Sequence, residues 1–425
     1  MTGDSQGKAG YAKSMIAAAK DLQRSSAFEP ATVGVGDAVT LDQVKEDLRI
    51  SGKRNRITVA VSLVVLLVVA LFSLHLPYYS EDWGGTGRIY STADVLSCYQ
   101  LFFQTHLLPL VDATQQNYNA LLEAEFTDMT MYAQVMGRAA VTLVIVVCGF
   151  LLAVSGLIFQ SAFRNPLAAP TMLGVADGVS VGCIVFTLLG YNSMSENPTL
   201  YTVMVYGFGV LALLVVLLLS RFVSGKRTYS VFDMLLIGTV ISQMLGGFVS
   251  YYSNFMMDDS TWENFYEMQQ ASQALSLEIT YVFVGVIAVV TIVPTVLLGF
   301  RFNLISYPNA DGRMLGARPG LLRGLALALG SIMQLAAIAS IGQVAMVSLA
   351  VPFLVRMMFR NEFRYQLLGN FLVGAIVLLL CECVQSFAVF TTAYGSVTMP
   401  LGTIISFVIM PLFVWMMALQ KRGWE

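Results

Sequence analysis

Apolar residues fill this chain in long runs, and short polar or basic stretches divide one run from the next. A membrane crossing needs ~20 such residues to span ~30 Å of hydrocarbon. On that ruler ten segments stand out: 57–76, 135–160, 171–190, 200–222, 231–255, 279–300, 322–341, 344–359, 366–390 and 400–420, the eighth of them short. The pattern predicts an all-α integral membrane protein of about ten transmembrane helices. Residues 1–56 then form a cytosolic N-terminal extension, and 57–420 a transmembrane domain. In the extension, Thr40 to Gln43 reads as a capping box, with Leu41, Val44 and Leu48 at helical spacing behind it, which suits a short amphipathic helix on the inner membrane face. The loop at 77–133 is too long for a connector and is expected to carry short helices of its own.

Composition agrees: 56% of the 425 residues are hydrophobic, 12% are charged, and the mean hydropathy is +0.71. A soluble domain cannot hide that much apolar surface, so the solvent is lipid. The net charge of −2 conceals a polarised pattern. With the N-terminus inside, nearly every lysine and arginine of the 57–420 domain falls in inner loops. Only Arg88 and Arg138 fall outside, where acids such as Glu81, Asp112, Asp258 and Glu263 collect. The positive-inside rule then places both termini in the cytosol. The first apolar run begins only at residue 57, so no secretory leader is expected. Cys148, Cys183, Cys381 and Cys383 lie in predicted crossings and Cys98 stands alone, which argues against a disulfide framework. Cys381 and Cys383 diverge on a helix, and the chain has only two histidines, His75 and His106, so no metal site is expected. No phosphate-binding loop and no catalytic arrangement occurs, so the chain is not expected to be an enzyme. Nothing points to nucleic acid.

Three features carry candidate chemistry. The stretch 160–178, QSAFRNPLAAPTMLGVADG, is a basic, proline-punctuated turn between two apolar runs. Gly238, Ser242, Gly246 and Ser250 recur every fourth residue, which lines them up on one helix face. Such a stripe serves either tight helix packing or a pathway for a bulky solute. Asp177 and Glu382 sit inside apolar runs, where an acid costs roughly 2.5–3.5 kcal/mol on insertion scales. They suit either hydrogen-bonded structural roles or proton coupling, and the second would make the chain a proton-driven secondary transporter.

The letters RNPLAxPxxLGVxxG within 164–178 resemble the signature of the FecCD-type permeases, membrane halves of ATP-driven importers for iron-siderophores, haem and cobalamin. The residues that carry it are Asn165, Pro166, Leu167, Ala168, Pro170 and Gly174. Further matches are Pro352 and Arg356 in IGQVAMVSLAVPFLVR, and Pro400 and Gly402 in the closing MPLG…MPLFVW. Phe353 replaces a usual histidine, Ser386 an arginine and Thr398 an acid, and a W-x-x-G-S element is not recognisable near Trp262. The resemblance implies a type II ABC importer permease in a bacterial plasma membrane, carrying an iron chelate or, alternatively, cobalamin. Its partners would be ATPase subunits holding ATP and Mg, an extracellular solute-binding protein and a second permease chain, the same or divergent. This chain itself would need no cofactor. The loop 301–323 contains GRMLG, similar to the family's coupling element, which assigns ATPase coupling to Arg313, Leu315 and Gly316. The small stripe would border the channel, and Arg88 and Arg138 would be the cations available for docking the binding protein.

Overall fold

The computed structural model describes residues 41–76, 90–102, 129–224, 231–270, 278–304, 319–344, 346–359, 363–387, 389–392 and 395–422. In chain order its helices begin with α1 (Leu41–Ser73), α2 (Thr92–Phe102), α3 (Met129–Phe163), α4 (Val175–Leu188) and α5 (Pro198–Ser224). There follow α6 (Val231–Phe255), α7 (Asp259–Gln269), α8 (Glu278–Leu297), α9 (Gly299–Leu304) and α10 (Pro319–Ile341). The last three are α11 (Val347–Met358), α12 (Phe363–Phe387) and α13 (Leu401–Arg422). An antiparallel hairpin, β1 (Val389–Thr392) with β2 (Gly395–Thr398), pairs Val389 with Thr398 and Thr392 with Gly395 just before α13. A compact unit spans Lys53–Trp415; the first turns of α1 and the last of α13 belong to a smaller, separate one.

Among the described residues eight helices are long and apolar enough to cross a membrane, and α4 and α11 are shorter apolar helices that bring the number to the ten expected. At ~1.5 Å per residue, the 14 residues of α4 and the 12 of α11 reach only ~21 and ~18 Å, short of a full crossing. Each is joined to irregular backbone, the 3₁₀ turn Pro170–Leu173 before α4 and residues 342–344 and 346 before α11. Such backbone survives at membrane depth only inside protein, and here Ala168, Ala169, Leu173, Gly342 and Val344 are all buried. The long insertion at 77–133 does hold a helix, α2, whose Val95 and Cys98 pack with Tyr90 against Val135 at the start of α3. In place of a separate amphipathic helix, α1 begins at Leu41 and runs unbroken into the first crossing.

The buried centre is α3. Of its crossing 78% is enclosed, against 17% for α6. It packs against α10, α11 and α12. Gly149 and Gly374 let the α3 and α12 backbones nearly touch: a Cβ on Gly149 would lie 2.6 Å from the Gly374 carbonyl oxygen. Beside them Phe150 meets Phe371 edge to face at 5.4 Å. A second layer is formed by α4 against α5, with α6 laid over α4 and its preceding 3₁₀ turn.

Candidate functional site

The turn from α3 to α4 is closed by its own polar groups. Arg164 leaves α3 in a left-handed conformation, φ 52. Asn165 then organises the chain: its Oδ1 accepts the Leu167 N–H at 2.9 Å and its carbonyl accepts the Ala168 N–H at 3.1 Å. Asparagine does this because its short amide mimics a backbone turn. Pro170 sits in the first turn of the 3₁₀ helix, where no N–H is needed, and Gly174 at φ 70 redirects the chain into α4. The elbow therefore has two faces. Arg164, Asn165, Pro166 and Leu167 stand exposed at its tip, while Ala168, Pro170 and Gly174 are buried and fix it to the bundle.

The small stripe of α6 meets this elbow. A Cβ on Gly238 would lie 2.5 Å from the Met172 carbonyl oxygen, and one on Gly174 would lie 3.4 Å from the Ser242 backbone. Ser242 Oγ donates to Asp177 Oδ2, and Gly246 faces Asp177 Oδ1. Gly238, Ser242 and Gly246 thus pack helix against elbow and do not face open space within this chain. Ser250, one turn further, is exposed. So is a broad apolar face of the same helix that includes Met244, Phe248, Tyr251 and Phe255, with Met256 just past its end.

The remaining motif residues serve close contacts. Arg356 Nη2 donates to Gln160 Oε1, and Gln160 Nε2 donates to the Leu349 carbonyl at 3.2 Å, tying α3 to α11. Pro352 cannot bond back to Ser348. The Ser348 carbonyl instead crowds Gly156, where any Cβ would collide with it at 1.7 Å. Gly402 lets the start of α13 reach Gln343, whose carbonyl would lie 2.1 Å from a Cβ there. Pro400 contributes the carbonyl that accepts the Thr403 N–H at 3.0 Å. Gln343 Nε2 and Gln269 Nε2 both donate to Ser180 Oγ, at 2.8 and 2.9 Å, and so anchor the α10–α11 link and α7 on α4. Gly156, Gln160, Ser180, Gln269 and Gln343 escaped the sequence reading. The available signal was polarity, since a glutamine at the margin of an apolar run needs a partner.

The buried charges correct one expectation. Arg138 is no docking cation: it is 2% exposed and paired with Glu382, itself 5% exposed. Arg138 Nη2 donates to Glu382 Oε2 at 2.6 Å and to Ser73 Oγ at 2.9 Å. Its Nε donates to the Ser73 carbonyl at 2.8 Å and Nη1 to Ser386 Oγ at 3.0 Å. One guanidinium therefore joins the ends of α1 and α12 to the start of α3. Arg88, Arg313, Leu315 and Gly316 lie outside the described residues.

Among the described residues, ten apolar helices, two of them half-length, around a proline-broken elbow define a multi-pass permease with the architecture of an ABC importer. A solved metal-chelate-type ABC transporter in an inward-facing conformation shares the fold, with a TM-score of 0.63 at 21% identity, covering 86% of this chain and 99% of that one. Residues 95–419 match the FecCD transport family, and the chain belongs to it. The hemin transport system permease protein HmuU of Yersinia pestis is 29% identical over 316 residues, 73% of this chain and 90% of the relative. The vitamin B12 import system permease protein BtuC of Salmonella typhi is 26% identical over 281 residues, 66% of this chain and 82% of the relative. Both relatives are named as the permease protein of a transport or import system.

Proposed function

We propose that this chain forms the membrane pathway for an iron chelate, a siderophore complex or haem, moved inward by alternating access. Separate ATPase subunits holding ATP and Mg drive it, an extracellular binding protein delivers the solute, and a second permease chain, the same or divergent, completes the channel. The observation that carries the solute class is the outer end of α6, where Tyr251, Phe255 and Met256 are 54%, 75% and 57% exposed and the Tyr251 and Phe255 rings lie 5.4 Å apart. An aromatic and methionine surface suits a large, flat or greasy chelate better than a bare ion. The exposed face of α6, continuing down to Ser250, supplies the pathway. The host membrane is the bacterial plasma membrane with both termini in the cytosol, in keeping with the basic residues. The loop holding Arg313, Leu315 and Gly316 docks the ATPase. With Arg138 buried, Asp259 and Glu263 on α7 offer acids to a basic surface of the binding protein, which charge would steer into place.

Cobalamin is the second reading, favoured by the vitamin B12 permease at comparable identity. Proton coupling through Glu382 is disfavoured by its ion pair with Arg138. The test is ATP-driven uptake of ferric siderophore, haem and cobalamin by the chain reconstituted with its ATPase and binding protein. Uptake of an iron chelate is expected, and uptake of cobalamin alone would refute the iron reading. Leu315→Asp should abolish uptake while leaving insertion intact, because an unpaired acid in a docked interface is costly.

A further inference from the structure

Where α3 and α5 end and α6 and α10 begin, the bundle leaves a cavity of about 140 Å³. Its walls are apolar: Ala162 and Phe163 from α3, Leu217 from α5, Met234 from α6 and Leu327 from α10. One charge lines it. Arg323 is 7% exposed, and its Nε is buried without a hydrogen-bond partner. Among the described residues no carboxylate pairs with it. Arg164 is near enough for its charge to repel that of Arg323.

A buried cation beside a second cation calls for an anion. Because the walls around it are apolar, an anion that also carries an apolar tail fits better than a bare one. A guanidinium fork matches phosphate oxygens, and basic pockets between membrane helices on the cytosolic side take acidic headgroups. This is the end of the bundle where Arg164, Arg221 and Arg301 gather. The cavity holds only a few carbons, but Leu214 and Val210 continue the Leu217 side of α5 one and two turns on, and both are exposed.

We propose that this cavity is a site for an acidic phospholipid, whose phosphate binds Arg323 and whose chain leaves along Leu217, Leu214 and Val210. The site is independent of the solute carried. The probes are phosphatidylglycerol, phosphatidylcholine and inorganic phosphate, added to the purified full-length chain, with bound lipid read by native mass spectrometry and protection by thermal unfolding. Phosphatidylglycerol should be retained about tenfold better than phosphatidylcholine, equivalent to ~1.4 kcal/mol. Arg323→Gln should abolish that preference, and Leu217→Trp, which fills the cavity and keeps the charge, should lose the lipid. Equal retention of the two lipids, or an unchanged preference in either variant, would overturn the proposal. Inorganic phosphate protecting as well as phosphatidylglycerol would assign the site to free phosphate instead. A loss of ATPase co-purification in Arg323→Gln with lipid preference intact would make Arg323 part of a protein interface. Should Arg323→Gln fail to insert, Leu217→Trp decides alone.

Discussion

Two buried arginines at opposite ends of the bundle are treated in opposite ways. Arg138, at the end where α1 and α12 finish, is saturated by Glu382, Ser73 and Ser386. Arg323, at the end where α10 begins, keeps an unpartnered Nε in an apolar cavity. Taking a charge out of water costs several kcal/mol whichever end it occupies. At the first end the chain supplies the counter-charge itself, and three helices become one rigid body. At the second no described residue supplies one, and the proposed lipid phosphate takes that place. Arg356 is intermediate: a cation held by the neutral amide of Gln160. A buried charge with its partner in the chain is architecture, whereas one without marks a place where something else binds.

The largest effect is expected from turning the first end into the second kind. Glu382→Ala leaves Arg138 buried with only hydroxyl and carbonyl partners, and breaking one side of a buried pair costs ~3–5 kcal/mol. The variant should unfold at a clearly lower temperature in detergent, and α1 should become sensitive to protease. Replacing both partners, Arg138→Met with Glu382→Leu, should recover most of the loss, since apolar pairs of similar volume are often neutral. A Glu382→Ala protein as stable as the parent would erase the contrast between the ends.

The intermediate case sharpens it. Gln160→Leu removes both the acceptor for Arg356 and the donor to the Leu349 carbonyl. Loss of hydrogen bonds to a charged group costs ~1.5–3 kcal/mol, so the shift in thermal unfolding should be smaller than for Glu382→Ala. Gln160→Glu gives Arg356 a full counter-charge but sets an acceptor against the Leu349 carbonyl, so it should recover only part of the loss seen in Gln160→Leu. If Gln160→Leu matched Glu382→Ala, the amide would be serving as more than a hydrogen-bond partner.

Much of this was legible in the sequence, and the limits have physical causes. The run at 135–160 became the crossing Gln134–Phe163 because lipid imposes the length of an apolar helix. The elbow was legible because Asn165, Pro170 and Gly174 each act locally on the backbone. The shortness of α11 was legible in the segment 344–359, but that of α4 was not, since the apolar run 171–190 takes in most of the 3₁₀ turn Pro170–Leu173. A periodicity of four lined up Gly238, Ser242 and Gly246 but could not name the neighbour, which proved to be the elbow. Arg138 read as an outer flanking charge because its partner lies 244 residues away. The hairpin of 389–392 with 395–398 was missed for a different reason: its first residues fall at the end of a predicted crossing, and strand pairing adds no apolar signature of its own.

The smallest effect belongs to a carboxylate that keeps its water. Asp258 occupies the N-cap position of α7 on the same side as the Glu382 clamp, with no side-chain hydrogen bond to the helix amides, and its Oδ2 accepts the Ser260 hydroxyl at 2.8 Å. Hydrogen bonds from Thr261 and Ser260 hold its pKa below the usual aspartate range. A depressed pKa means the folded state prefers the ionised form, so the contribution is present above the unfolded value of ~3.9 and is lost as pH falls through the folded value. The α7 amides should therefore exchange faster in Asp258→Asn than in the parent at pH 7, and that ratio should approach one as the pH drops well below 4. Taking the ratio at each pH cancels the intrinsic pH dependence of exchange. Because Asp258 is open to solvent, added salt should shrink the difference at neutral pH, whereas the buried Arg138–Glu382 pair should be indifferent to it. A salt-insensitive Asp258 effect, or one that persists in acid, would place its influence in packing of the cap and not in its charge.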